Sequence, residues 1–161
     1  MEIIVECYGD NLLIKQLKYE VIEVHSGINE VGRLMQDYKG NRLSIGIIDA
    51  DKKIFSKYLQ SFKEIKKDSN IIFNKHADKN HYLIKICPAF EKFILQAANE
   101  VNVTRQKHKL PINDKAFYKL VKSREVKKNQ NFINFVNAIV AKNPPSIAFL
   151  QKCINEAAKA K

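Results

Sequence analysis

Four acidic residues in the N-terminal part of the chain, Glu6, Asp10, Asp49 and Asp51, have the types and spacing for metal-assisted phosphodiester chemistry. Asp10 follows Glu6 by four residues, and Asp51 follows Asp49 by two. Carboxylates gathered in one small volume repel one another unless a proton or a cation intervenes. An all-oxygen donor set favours a hard cation, Mg2+ or Mn2+. Such an ion neutralises phosphate charge and activates a hydroxyl or a water. Taken singly, Asp10 reads as a helix cap and Asp49-Ala50-Asp51 as a polar turn, since aspartate is common in both settings. The elements that carry these residues decide between the two readings.

Glu2 to Glu6 (EIIVE) is β-branched and apolar, the pattern of a short buried strand. Leu12, Leu13 and Leu17 place a helix over Asp10–Lys18, with Asp10 at its cap or first turn. Val21 to His25 reads as a second strand, Ser26-Gly27 as a turn, and Ile28 to Tyr38 as a helix ended by Lys39-Gly40-Asn41. Leu43 to Ile48 is a third strand that runs into Asp49, and Ile54 to Phe62 a short helix. This β-α-β-α-β-α order predicts a mostly parallel, Rossmann-like α/β sheet flanked by helices, with the first and third strands central. Ligands of such sheets bind beyond the carboxyl ends of the strands, where strand order reverses. Glu6 and Asp49 end the first and third strands, so both project at that edge. Asp10 and Asp51 then reach the same volume.

Ile71–Phe73 and Tyr82–Ile86 look like two further strands, either a hairpin or an edge pair. Pro88 opens a helix that runs to about Glu100. Helical stripes then follow at Asn113–Lys122, Asn131–Ala141 and after Ser146. Residues 1–100 are therefore expected to form an α/β domain, and 101–161 a basic helical extension packed on it.

Bulk composition narrows the partners. The net charge is +11, which favours phosphate backbones. A lysine-rich solvated surface is the plainer reading of the same charge. Lys52, Lys53, Arg105, Lys107 and Lys109 are the candidate nucleic-acid contacts. Cys7, Cys87 and Cys153 are too few and too scattered for a disulfide framework or a zinc site. No apolar run reaches the roughly 18 residues of a membrane span. No secretory signal is read at the N-terminus, so a cytoplasmic location and no membrane partner are expected.

Val5-Glu6-x-x-x-Asp10, the turn at Gly27, and Ile47-Ile48-Asp49-Ala50-Asp51 together resemble the Toprim domain. That domain is shared by type IA and II topoisomerases, bacterial primases, small RNA maturases and OLD-type nucleases. The segment Glu23–Arg33 also looks like the family's second strand, glycine turn and helix. The resemblance covers about the first half of the chain and is closest to the OLD-type nucleases. It implies that Glu6 is the general acid/base, that Asp49 and Asp51 hold Mg2+, and that Asp10 positions or shares the metal. Glu91 resembles an acid that serves a second metal in OLD-like members; its plainer reading is a surface helix glutamate. The family has glycine directly after its glutamate, where this chain has Cys7, whose added bulk would crowd the site.

Two functions follow as expectations. One is an enzyme, a Mg2+-dependent nuclease or related phosphodiester-processing protein acting on DNA or RNA. The other is a catalytically degenerate module that keeps the fold and binds nucleic acid or a larger partner protein. A phosphoacceptor receiver domain also places acids after its first and third strands. It requires adjacent acids at the first strand end, which this chain lacks, although Lys85 would mimic its conserved lysine.

Overall fold

The computed structural model describes residues 1–24, 27–37 and 42–160. Among these residues six strands form one sheet: β1 (Glu2–Val5), β2 (Val21–Glu23), β3 (Ser44–Asp49), β4 (Lys63–Lys67), β5 (Ile71–Lys75) and β6 (His81–Ile86). Their order is β2-β1-β3-β6-β5-β4. The β2-β1, β1-β3 and β3-β6 pairs are parallel, while β5-β6 and β4-β5 are antiparallel. The fold is thus α/β with a mostly parallel sheet, and β1 and β3 lie in its interior as expected. Ile71–Lys75 and His81–Ile86 resolve as a hairpin whose second strand joins β3.

Among the described residues there are seven helices: α1 (Tyr8–Gln16), α2 (Ile28–Asp37), α3 (Lys57–Gln60), α4 (Phe90–Glu100), α5 (Asp114–Val121), α6 (Gln130–Ala141) and α7 (Pro145–Lys159). Side chains alternate across the sheet because successive strand residues face opposite ways. Ile3, Val5, Ile45, Ile47 and Ile84 face α1 and α4 to α7. Ile4, Ile48 and Leu83 face α2 and α3. The two-sided cover explains why β3 is buried at all six positions and reads as a continuous apolar run.

The helical extension shares the first of these cores. Phe117, Phe132, Phe135, Val136, Leu150 and Ile154 are all fully buried in the cluster that holds Ile3 and Ile45. Two short 3-10 turns, Gln106–His108 and Arg124–Lys128, complete it. No helix among the described residues is long and apolar enough to cross a membrane.

Three local readings differ from expectation. The basic stretch Lys63–Lys67 is an edge strand. The helix expected over Ile54–Phe62 is one turn, Lys57–Gln60, capped by the Ser56 hydroxyl. Helix α1 starts at Tyr8, with Cys7 as its cap and Asp10 in its first turn. The expected strand end at His25, the turn at Ser26, the helix end at Tyr38 and the cap Lys39-Gly40-Asn41 lie outside the described residues.

Candidate metal centre

Strand order reverses between β1 and β3: the chain leaves β1 for β2 on one side and returns to β3 on the other. Glu6 directly follows β1, and Asp49 is the last residue of β3. Both open into a cavity of about 260 Å3 at this edge. Two hollows of about 560 and 400 Å3 lie elsewhere, one on the helical extension and one between it and α4, and each is lined by a single acid, Glu156 and Asp114 respectively. Volume therefore does not choose the site; carboxylate chemistry does.

Asp49 is 3% exposed, and its Oδ1 accepts the Phe90 N–H at 2.9 Å. That bond ties the β3 end to the N-terminus of α4. Burial pushes the Asp49 pKa up to about 6, against the lowering effect of the Phe90 N–H and the Lys52 charge, while Glu6 and Glu91 raise it further. Glu6 is also buried; its Oε1 accepts from the Lys52 ammonium at 2.5 Å, while Oε2 is buried with no hydrogen-bond partner. A buried carboxylate oxygen without a partner is costly unless a ligand meets it.

Asp10 lies behind this pair, 1% exposed and outside the cavity lining. Cys7 lines the cavity and connects the two layers. Its thiol donates to Asp10 Oδ2 at 3.0 Å, and its sulfur accepts from the Asp10 N–H at 3.4 Å. The bulk of Cys7 thus serves as the α1 cap and holds Asp10. Burial raises the Asp10 pKa well above the usual carboxylate range, and the Asp49 charge adds to it. Burial likewise raises the Cys7 thiol, with Asp10 adding to it.

Glu91 is 5% exposed and lines the cavity, so the surface reading of this residue is corrected. The first turn of α4, fixed on Asp49, carries it inward. Its Oε1 pairs with Lys122 at 2.8 Å, a lysine at the end of α5 that sequence reasoning did not single out. The close approach of α1 to α4 depends on Gly9, where an added Cβ would sit 2.3 Å from a Phe90 ring carbon.

The other expected residues are placed apart. Asp51 is exposed and not in the cavity wall, and its backbone N–H donates to Pro88 O at 2.9 Å. Its charge acts at a distance on Lys122, whose pKa is raised first by the Glu91 hydrogen bond. Lys52 enters the cavity as an ion-pair partner. Lys53 is exposed, with its ammonium 5.2 Å from the Phe55 ring centre. Arg105 pairs with Asp114 at 2.8 Å and stacks on Phe117, and Lys107 and Lys109 are exposed. None of these last four lines the cavity.

The donor chemistry of Glu6, Asp49 and Glu91 suits Mg2+ or Mn2+. As the side chains stand, no group of three acidic, cysteine or histidine residues among the described ones is arranged to hold a metal. The Lys52 ammonium lies between Glu6 and Asp49, 3.6 Å from Asp49 Oδ2. No family model, curated protein or solved structure matches this chain.

Proposed function

We propose that this protein is a Mg2+- or Mn2+-dependent nuclease, or a related phosphodiester-processing enzyme, acting on DNA or RNA through a Toprim-like acidic site. The observation that carries this reading is the juxtaposition of Glu6 and Asp49. Two buried carboxylates close adjacent parallel strands at the strand-order reversal, and one presents an unpartnered oxygen. A divalent cation bound there would neutralise phosphate charge and make water or hydroxyl more acidic. Glu6 is the group in place to take or return the proton of the attacking or leaving oxygen. Asp49 is fixed by the Phe90 N–H at Oδ1, which leaves Oδ2, now 3.6 Å from the Lys52 ammonium, as its oxygen for a cation. The +11 net charge draws polyanions to the surface.

A second reading is the degenerate module that binds nucleic acid or a partner protein without cleaving. The Lys52 bridge favours it, because the acids are neutralised within the chain.

Cleavage separates the two. Labelled DNA and RNA, single- and double-stranded, are incubated with the parent and with Glu6→Gln in Mg2+, in Mn2+ and in EDTA. Cleavage by the parent with metal, lost in EDTA and in Glu6→Gln, is the expected result. Equal cleavage by parent and variant contradicts the role of Glu6. Binding without cleavage in either metal selects the second reading.

A further inference from the structure

Lys52 and Lys122 enter the acidic cavity from different elements. Lys52 comes from the loop after β3, and Lys122 from the end of α5. The Lys52 ammonium bridges Glu6 Oε1 at 2.5 Å and Asp49 Oδ2 at 3.6 Å. A divalent ion held by those two carboxylates would need the same space. Neither contact locks the lysine in, since its side chain is 44% exposed and hangs on a flexible four-carbon stem. With the ammonium turned outward, Glu6 Oε1 and Asp49 Oδ2 would lose the cation they now share. Oε2 of Glu6 already has no partner, so the bridge satisfies the acids only in part.

We propose that Lys52 is a tethered counter-ion that a divalent cation displaces, and that the displaced ammonium then holds the phosphate of the substrate. This rests on the metal-site reading above. The ion takes over the charge that the carboxylates require. The lysine, freed at the cavity mouth, gains a new anionic partner when phosphate arrives. Metal and phosphate therefore bind cooperatively, each favouring the state in which Lys52 has left the acids.

The test is a Mn2+ titration followed by the electron paramagnetic resonance signal of the free ion. It is run with and without thymidine 5′-monophosphate, on the parent, Lys52→Met and Lys52→Arg. The parent is expected to bind Mn2+ about tenfold more tightly when the nucleotide is present, and Lys52→Met about tenfold more tightly than the parent without it. In Lys52→Met the nucleotide adds no further tightening. Lys52→Arg keeps the charge and follows the parent. Lys52→Gln provides the same comparison should the methionine variant fold poorly. Equal Mn2+ affinity in the parent and the uncharged variants overturns the counter-ion role and leaves the metal site standing. Nucleotide enhancement retained in the uncharged variants overturns the phosphate contact. No Mn2+ binding by any of these proteins overturns the metal-site reading and this inference with it.

Discussion

Asp49→Asn is expected to make the metal-free protein more stable while removing cleavage. Asparagine keeps an oxygen for the Phe90 N–H, so the β3–α4 junction survives. What disappears is a buried charge. The folded-state pKa of Asp49 is about 6, above the roughly 3.9 of an unfolded aspartate. Because the folded pKa is raised, the folded form binds the proton more tightly between these values. The parent therefore loses stability as pH rises from about 4 to about 6, by on the order of 3 kcal/mol, and stays at that lower level above pH 6. Asparagine does not titrate. In EDTA at pH 8 the variant should melt several degrees above the parent, with the gap closing towards pH 4. The same substitution removes one of the two strand-end carboxylates. Cleavage should fall by at least about a hundredfold, of the order seen when one charge-stabilising group is removed from an active site. Thermal melts across pH and single-turnover cleavage rates check the two halves. A metal-free variant less stable than the parent at pH 8 contradicts the buried-charge account of this site.

Phe117→Ala should destabilise the whole protein, not only the helical extension. Phe117 is fully buried, with ring centres of Phe132 at 6.0 Å and Phe135 at 6.2 Å. The Arg105 guanidinium stacks on its face at 5.1 Å. Truncating a buried phenylalanine costs about 3–5 kcal/mol, from lost burial and the cavity left behind. The core around it is continuous with Ile3, Val5 and Ile45 of the sheet. Unfolding should therefore remain a single transition in urea, with its midpoint moved down for every probe. Two separated transitions would show that the sheet and the extension are independent units. Helix α5 also carries Lys122, so loosening it withdraws the partner of Glu91 from the cavity.

Much of this architecture is legible in the sequence. β1 and β3 declare themselves as short β-branched runs because helices cover the sheet on both faces. Glu6 and Asp49 are legible for the same reason: each acid stands at the end of such a run, and the topology sets both at one edge. Other features were hidden for identifiable reasons. β4 reads as a charge cluster because its side chains point mainly to solvent, and only pairing with β5 makes it a strand. Exposed lysines and Pro-free short edges of this kind carry no alternation to detect. Glu91 looks like a surface residue because its burial depends on α4 docking by its first turn onto Asp49. Lys122 gives no local signal, since the contact spans from α5 to α4. Asp51 would share the direction of Asp49 only if β3 continued; the strand ends at Asp49 and the chain turns, so the Asp51 side chain is left in solvent while its backbone bonds Pro88. Cys7 looks like an obstruction in the sequence. In the fold it caps α1 and holds Asp10.

The central claim is that a divalent cation binds between the strand ends of β1 and β3. Crystals grown with MnCl2 and measured at a wavelength where manganese scatters anomalously test it directly. An anomalous peak is expected within coordination distance, about 2.2 Å, of Glu6 and Asp49 oxygens, with the Lys52 ammonium moved off both. Crystals with no peak there, and with Lys52 still bridging the two carboxylates in saturating Mn2+, would contradict it.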